Sequence, residues 1–449
     1  MLSSATSRGI APWVLLAAIL GGCGDASTPA LRGTRGYLLI SIDTLRADHL
    51  GCYGYDRDTS PFIDSLARRG VRFENAFVQL PGTLPSHMSI FTGLYPGEHG
   101  VYPPAGVLSP EIETLPEAFQ RSGFRTAGHT EGGYVHGGYG FARGFDEFSH
   151  EARKIETDFE RTVARGLDFL RRLEDDDRFF LFFHTYAVHD PYFPADEYRE
   201  LFWPHPEPDA FAATGPNFVA FNRGQLTMTP PALEFYRASY DASIRYADGV
   251  LEAFVAELSR LELDRDLTVV LTSDHGEEFR EHGKMVHGQI YRETLHVPLI
   301  VLHPEIEAAR TPAVVQSIDI APTLYQLAGI EPRTRASGRS LVPLMAGLAD
   351  HRTEAYAESS GRRHRSLVKR DDETLYQLIY SAGLAPAVEL YDLTKDPLGS
   401  QNLLQQRPAV VRRALRRLEL YDHQPRSSVE AQMLDPELEQ RLKALGYLQ

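Results

Sequence analysis

Short runs of aliphatic and aromatic residues constrain the fold of this 449-residue chain more than any other feature. They cover residues 37–42, 179–183, 267–272 and 297–302, with a weaker run at 124–128, and segments of helical spacing lie between them. Nearly continuous apolarity is typical of strands buried on both faces, and strands that alternate with helices form mostly parallel sheets. The sequence therefore predicts an α/β fold in which a large, mostly parallel sheet lies between helices.

Three segments between these runs have readable patterns. Residues 60–70 begin with Ser60 and a proline and end with a glycine, which predicts a short helix capped by Ser60. Residues 233–261 carry apolar side chains at helical spacing and predict a long packing helix. Residues 204–231 contain six prolines and little periodicity, so we expect a long surface insertion there.

The pattern changes after about Ala349. Short alternating strands are predicted near Leu367, over 375–380 and over 388–390, followed by one or two charged helices. We interpret this part as a small antiparallel subdomain.

The N-terminal residues predict export. An apolar stretch at residues 14–20 has the length of a signal-peptide core and is too short to span a membrane. It leads into Gly21-Gly22-Cys23, which resembles a bacterial lipobox. We therefore expect a cell-envelope lipoprotein on the periplasmic side, held to a membrane by lipid on Cys23. The alternative is an ordinary secretory signal in which Cys23 has no role.

The charge balance argues against one class of partner. A formal net charge of −15 and a sequence pI near 5.6 do not suit a broad nucleic-acid surface, because phosphate backbones are bound largely by Lys and Arg. We expect no nucleic-acid partner. If Cys23 carries lipid, Cys52 has no cysteine left with which to form an internal disulfide.

Polar residues follow three of the predicted strands at the point where each strand ends. Asp43 follows the first, His184 and His189-Asp190 follow the second, and Ser273 to Glu277 follow the third. Ligands of open α/β sheets bind at the carboxyl ends of the strands, and carboxylates together with imidazoles bind divalent cations. The sequence therefore predicts a metal site at this edge.

An ordered set of motifs closely resembles the sulfatase family of the alkaline phosphatase superfamily. The resemblance covers nearly all of the chain after the N-terminal segment, and its motifs are residues 41–55, 60–64, 83–87 with 91–93, 272–277, 282–283, 297–300 and 390–393. It implies an alkaline-phosphatase-like fold. The domains expected from it are a signal peptide over 1–23, a tether over 24–35, a catalytic domain over 36–348 and a C-terminal subdomain over 349–449.

The resemblance also implies a metal centre and a nucleophile. Asp43, Asp274 and His275 correspond to metal ligands, and Thr83 corresponds to a residue that is both ligand and nucleophile. One divalent ion, Ca²⁺, Mn²⁺ or Mg²⁺, is the expected cofactor. Metal coordination lowers the pKa of a hydroxyl, which makes this assignment chemically reasonable.

Further histidines occupy family positions with assigned roles. His189 resembles a residue that contacts the substrate oxyanion or leaving group, His287 stands where a lysine is usual, and His87 replaces an arginine. We count all three as candidate catalytic residues. His129 and Glu131 lie near a Lys-x-His pair of the family, and His184 is either a site residue or a core residue.

Two departures from the family pattern bear on the reaction. Formylglycine-dependent sulfatases carry Cys or Ser where this chain has Thr83, so no formylglycine is expected, and Thr44 stands where many members have a second metal-binding Asp. A threonine nucleophile resembles the phosphodiesterases, phosphonate hydrolases and phosphoglycerol transferases of the superfamily.

Three functions follow from these observations. The first is a hydrolase of sulfate or phosphate/phosphonate esters that acts on a small-molecule, glycan or lipid substrate. The second is a phosphoethanolamine or phosphoglycerol transferase that modifies envelope glycans or lipids. The third is a catalytically silent binding lipoprotein.

Overall fold

The computed structural model describes residues 31–422 and 427, except residues 105, 151–157, 193, 209–213 and 349–351. The predicted signal peptide with Cys23, and residues 24–30 of the predicted tether, lie outside the described residues. The predicted boundary at residue 349 also falls on residues that are not described, so that boundary stays a prediction.

A nine-stranded sheet forms the centre of the described structure, in the order β11–β2–β10–β6–β1–β5–β3–β4, with β9 paired to β2. Its strands and those of a small hairpin are β1 (Gly36–Ile42), β2 (Val71–Phe77), β3 (Arg125–His129), β4 (Glu147–Ser149), β5 (Phe179–Thr185), β6 (Leu267–Thr272), β7 (Glu278–Phe279), β8 (Met285–Val286), β9 (His296–Val297), β10 (Leu299–Leu302) and β11 (Ala309–Gln316). β7 and β8 form the hairpin, which lies outside this sheet.

Most pairs in the sheet are parallel, as predicted. β1 is parallel to both β5 and β6, so Asp43, which follows β1, lies at the same edge as the carboxyl ends of its two neighbours. The exceptions are β10, which runs antiparallel to both β6 and β2, and β9, which runs antiparallel to β2. The apolar run at 297–302 is thus two short antiparallel strands, β9 and β10.

Alternate residues of the central strands enter two separate cores. On β1, Leu38 and Ile40 pack on one face of the sheet, and Tyr37 and Leu39 pack on the other. The predicted burial on both faces is confirmed. The covering helices are α1 (Pro61–Ala67), α2 (Thr83–Thr92), α3 (Pro96–His99), α4 (Leu115–Arg121), α5 (Phe159–Leu170), α6 (Asp196–Phe202), α7 (Gly215–Asn222), α8 (Pro230–Arg260), α9 (Arg292–Leu295), α10 (Ile320–Ala328) and α11 (Val342–Met345).

The long helix predicted at 233–261 is confirmed as α8, which packs on the face that holds Leu38 and Ile40. None of the helices in the described part of the chain has both the length and the apolarity needed to cross a bilayer.

The surface insertion predicted at 204–231 is wrong in part. Residues 215–222 form α7, whose first turn is capped by the Thr214 hydroxyl and contains Pro216. A proline in the first turn favours a helix start, because its missing N–H would be unpaired there anyway. Phe218 anchors α7 in the core. Prolines are typical of loops, but Pro216 lies in the first turn of a helix.

The cap of α1 also differs from the prediction. The Ser60 side chain makes no capping hydrogen bond to α1. Instead, the buried carboxylate of Asp248, on α8, accepts hydrogen bonds from the backbone N–H groups of Phe62 at 3.0 Å and Ile63 at 2.8 Å. A distant side chain therefore satisfies the first turn of this helix.

The C-terminal part contains the predicted antiparallel sheet. Its strands β12 (Glu354–Glu358), β13 (His364–Asp371), β14 (Thr374–Ser381) and β15 (Ala387–Asp392) pair in sequential order, and α12 (Pro408–Asp422) packs against β13 and β14. Ala355 and Val368 share a core with Val314 of β11, and this contact joins the small sheet to the large one.

Replacement of the distant cap tests this packing. We expect Asp248→Ala to lower the free energy of unfolding by about 2–4 kcal/mol, because two buried N–H groups lose their acceptor. Urea unfolding of the purified chain measures the change. Asp196→Ala is the control, since Asp196 is exposed and makes only a short-range ion pair with Arg199, and we expect it to change stability by less than about 0.5 kcal/mol. Equal stability of Asp248→Ala and the wild type would contradict the capping role.

Candidate metal centre and active site

The carboxyl edge of the sheet brings together the predicted metal ligands. Asp43 follows β1, Asp274 and His275 follow β6, and Thr83 is the first residue of α2. Asp43, Asp274 and His275 are fully buried and offer ligand atoms that lie within 4.8 Å of one another.

Thr83 faces this group. Its Oγ1 lies 3.3 Å from Asp43 Oδ2 and 3.5 Å from His275 Nε2. His275 Nε2 lies 3.4 Å from Asp274 Oδ2, and its Nδ1 lies 3.0 Å from the Gly276 carbonyl oxygen, to which it donates. The neutral tautomer therefore presents the Nε2 lone pair to the carboxylates.

The two carboxylates fit a bound cation. Among the described residues, neither Asp43 Oδ1 nor Asp274 Oδ2 has a hydrogen-bond partner, although both atoms are buried. Burial, and then the charge of Asp274, raises the pKa of Asp43. Two buried carboxylates and one imidazole nitrogen are a donor set for a divalent ion, which would relieve both the desolvation and the repulsion.

A second set of side chains lies beside the first. His189, Asp190 and His287 offer ligand atoms within 4.8 Å of one another, and they are more exposed than the first set. The His287 ring lies 4.4 Å from that of His275 and 5.3 Å from that of His189. The structure therefore brings two of the three predicted catalytic histidines, His189 and His287, to the metal group.

The charges around these two histidines differ. Burial tends to lower the pKa of His189, but the carboxylates of Asp190, Asp43 and Glu277 outweigh it and raise that pKa to about 9. Burial lowers the pKa of His287 to about 4. Burial also raises the pKa of Glu277, which lies 3.2 Å from His287 Nδ1, to about 8.

His87 lies in the buried interior next to the first turn of α2, and it is not among the more exposed side chains of the site. It is fully buried, its Nδ1 donates to the Thr83 carbonyl oxygen at 2.8 Å, and its Nε2 lies 2.9 Å from Ser41 Oγ. Burial lowers its pKa to about 4. The neutral imidazole therefore supports the first turn of α2.

His184, for which the sequence leaves a site role and a core role open, lies beside the metal group. Its Nε2 lies 3.1 Å from Asp43 Oδ2, and burial lowers its pKa to about 3. His184 on β5 is the register partner of Ser41 on β1, two residues before Asp43. A strand alignment was the signal that could have placed it.

His129 and Glu131 bind neighbouring segments. His129 Nδ1 lies 2.8 Å from Ser149 Oγ. Glu131 accepts hydrogen bonds from Thr185 Oγ1 at 2.8 Å and the Tyr186 N–H at 3.0 Å, and burial raises its pKa to about 7. Neither residue belongs to the two candidate metal groups.

Thr44 turns the chain after Asp43 in a strained conformation. Its φ is +57°, which is unfavourable for a β-branched residue. Its N–H donates to Asp274 Oδ1 at 3.4 Å, its carbonyl accepts from Tyr240 Oη at 2.7 Å, and its hydroxyl donates to the Val188 carbonyl at 3.0 Å. The Thr44 side chain thus points away from the ligands and holds the loop after β5.

A buried arginine holds the loop after β6. Arg46 forms ion pairs with Asp48 at 2.8 Å and Glu281 at 2.6 Å and donates to the Glu277 carbonyl at 2.9 Å. The chain at Gly276 packs so closely on Glu293 that a Cβ there would clash with the Glu293 carbonyl oxygen. These contacts fix the backbone that carries Asp274 and His275.

Comparisons with known proteins identify the family. The family described as "Sulfatase" matches residues 35–330, and "N-sulphoglucosamine sulphohydrolase, C-terminal" matches residues 280–424. The chain is 23% identical to N-acetylglucosamine-6-O-sulfatase of Bacteroides thetaiotaomicron over 82% of each protein. It is 24% identical to choline-sulfatase of Rhizobium meliloti over 83% of each protein.

Solved structures show the same fold. A structure described as a complex with its substrate D-glucosamine-2-N,6-O-disulfate superposes with a TM-score of 0.73 at 19% identity, over 88% of this chain and 99% of the other. Phosphonate monoester hydrolase of Agrobacterium radiobacter superposes with a TM-score of 0.70 at 20% identity, over 87% and 96%. The predicted fold is confirmed. With its central sheet and most of its length matched by the family, the chain belongs to the sulfatase family of ester hydrolases.

Proposed function

We propose that this protein hydrolyses sulfate or phosphate/phosphonate esters with Thr83 as the nucleophile and one divalent metal ion as cofactor. The observation that carries the proposal is the position of Thr83 Oγ1, which lies 3.3 Å from Asp43 and 3.5 Å from His275. Asp43, Asp274 and His275 would hold the ion. When bound, the ion supplies Lewis-acid polarisation and a lower hydroxyl pKa.

The residues around Thr83 suit nucleophilic attack. The Thr83 hydroxyl donates to Asp43 Oδ2, which can accept its proton. Thr83 also begins α2, and the positive end of a helix favours an anionic group beside it. The His87 ring donates a hydrogen bond to the Thr83 carbonyl oxygen, and this bond fixes the backbone at the nucleophile.

The proposed reaction has two balanced steps. In the first, Thr83 Oγ1 gives its proton to Asp43 and forms a bond to sulfur or phosphorus, the ester bond breaks, and the leaving oxygen takes a proton from His189, whose pKa is raised to about 9. In the second, water attacks the same atom and gives a proton to the now neutral His189, the bond to Thr83 Oγ1 breaks as Oγ1 takes back the proton from Asp43, and the sulfate, phosphate or phosphonate product is released.

The proposed substrate class rests on relatives whose names give different ester substrates. Relatives include sulfatases of N-acetylglucosamine and of choline, and the similar folds include a phosphonate monoester hydrolase. A small-molecule or glycan ester is therefore the proposed substrate. Threonine is a direct nucleophile and not a precursor of formylglycine, which favours a phosphorus ester.

Removal of the Thr83 hydroxyl tests the nucleophile. We expect Thr83→Val to lower kcat/KM by about 10³-fold or more, because no other hydroxyl replaces the attacking group. Thr83→Ser should keep measurable turnover. The assay compares an aryl sulfate, phosphate mono- and diesters, and a phosphonate ester with the metal-loaded full chain.

Thr92→Val is the matched control, since Thr92 is a buried threonine at the other end of α2 that donates to Met88. Its turnover should stay within about threefold of the wild type. Equal turnover by Thr83→Val and the wild type would refute the nucleophile. If no ester is turned over, the hydrolase proposal is wrong.

The pair of buried carboxylates predicts that Asp43→Asn affects the Tm differently with and without bound metal. We expect Mn²⁺ at about a hundred times its Kd to raise the Tm of the wild type by about 3 °C. Asp43→Asn should lose most of that rise, because a ligand charge is removed. Without metal, Asp43→Asn should melt at a higher temperature than the wild type, because the repulsion with Asp274 is relieved.

Asp248→Asn is the control for this thermal experiment. Asp248 is also buried, but its oxygens accept two backbone hydrogen bonds. This variant should melt at a lower temperature in both states and keep the full rise with Mn²⁺. A metal-free Asp43→Asn that melts below the metal-free wild type would contradict the proposed repulsion.

We also propose export as a lipoprotein through Cys23. When the full chain is expressed in a bacterial host, we expect it in the membrane fraction with incorporated fatty acid, and Cys23→Ala should lose both. Cys52→Ala is the matched control and should stay in the membrane fraction. Membrane retention and lipid labelling of Cys23→Ala would contradict the anchor.

A further inference from the structure

The His287 ring is held from its buried side. His287 lies just after β8, between Val286 with a φ of +64° and Gly288 with a φ of +134°, so strand pairing does not fix its own backbone. Its side chain is 16% exposed, and its Nδ1 lies 3.2 Å from Oε1 of the fully buried Glu277. Whichever of these two atoms carries the shared proton, Nδ1 is engaged inside the protein, and Nε2 is the nitrogen left to contact a substrate.

Glu277 is itself fixed by contacts at both of its ends. Its backbone carbonyl oxygen accepts a hydrogen bond from Arg46 Nη1 at 2.9 Å. Its Oε2 accepts one from Tyr192 Oη at 2.8 Å, while Oε1 faces His287. Hydrogen bonds from a second layer of residues restrict the rotamers of the side chains that they support. The Glu277 carboxylate therefore sets the orientation of the His287 ring.

Tyr192 reaches this carboxylate from a strained backbone. Its φ is +44°, which is unfavourable for an aromatic residue. Its side chain is buried, and its ring lies edge-on to that of Tyr240 at 5.7 Å and 5.9 Å from that of Phe279. Backbone strain of this kind clusters at functional sites, where surrounding contacts maintain it. We call Tyr192, Glu277 and His287 the Tyr–Glu–His chain.

A similar set of side chains occurs elsewhere in the fold. Asp241 accepts a hydrogen bond from Tyr55 Oη at 2.8 Å and lies 2.8 Å from His49 Nδ1. None of these three residues belongs to the candidate metal groups found among the described residues. The histidine of the Tyr–Glu–His chain, in contrast, has its ring 4.4 Å from that of the proposed ligand His275. The two sets thus share their hydrogen bonding and differ in their distance from the proposed chemistry.

We propose that the carboxylate of Glu277, held by Tyr192, is a positioning group that keeps His287 Nε2 directed at the group that the nucleophile attacks. This inference rests on the proposed function and deepens it, because it gives His287 a contact with the transferring group beside the proton donor His189. Glu277 and Tyr192 touch no substrate themselves. Their effect on turnover therefore passes entirely through the His287 ring.

A double-mutant cycle on turnover tests this dependence. With the metal-loaded full chain and the ester that it hydrolyses fastest, we expect Glu277→Gln to lower kcat by about 10–100-fold. Tyr192→Phe should lower kcat by about 3–10-fold, because one hydrogen bond is lost. KM should stay within about threefold in both variants. In a His287→Ala background, neither change should lower kcat by more than about a further twofold.

Tyr55→Phe is the matched control, since it removes a tyrosine hydroxyl from a buried carboxylate outside the metal groups. Its kcat should stay within about twofold of the wild type, and the metal-free Tm of each variant shows that it is folded. A Glu277→Gln variant that loses the same factor in kcat with and without His287 would overturn the proposal. So would a Glu277→Gln variant with the kcat of the wild type.

A proton NMR spectrum of the metal-free chain provides a readout that does not depend on turnover. The proton shared by His287 Nδ1 and Glu277 should give a downfield resonance, because its buried hydrogen bond slows exchange with water. We expect this resonance to be absent in His287→Gln and Glu277→Ala, shifted in Tyr192→Phe and unchanged in Tyr55→Phe. Identical downfield spectra of the wild type and His287→Gln would overturn the proposal. If no ester is turned over but the resonance behaves as expected, the proposed function fails and the orientation of His287 by Glu277 stands.

Discussion

Two carboxylates buried side by side are the constraint on which the rest of the site depends. Asp43 and Asp274 follow the adjacent parallel strands β1 and β6, and both side chains are inaccessible to solvent. An unpaired buried charge is costly, and two like charges are costlier still, unless protons or a cation compensate them. The charge of these carboxylates acts on three neighbouring side chains, those of His275, His184 and Thr83.

The scaffold keeps these charges in place through contacts that carry no chemistry themselves. The strained turn at Thr44 is over-determined by bonds to Asp274, Tyr240 and Val188. Arg46 holds the backbone of the following loop through charge-assisted hydrogen bonds. Backbone strain of this kind persists only where surrounding structure compensates it, and here it fixes the directions of the ligands.

The sequence predicted features that depend on local pattern. The central strands could be read from continuous apolarity, and Asp43 and Asp274 could be read from their places directly after strands. Features that depend on distant partners could not be predicted in this way. The Asp248 cap joins α8 to a helix 185 residues earlier, and His184 meets Asp43 only through strand pairing. The reversed direction of β10 leaves no local signal, because a buried strand has the same apolarity in either direction.

That reversed strand has a structural consequence. Because β10 returns antiparallel beside β6, no crossover helix is needed between them, and residues 273–295 form one excursion from the edge of the sheet before β9 pairs with β2. This excursion holds Asp274, His275 and His287, and its β7–β8 hairpin has an exposed turn at Gly283. A longer or shorter hairpin would therefore alter the surroundings of the metal group and leave every strand pair of the large sheet intact.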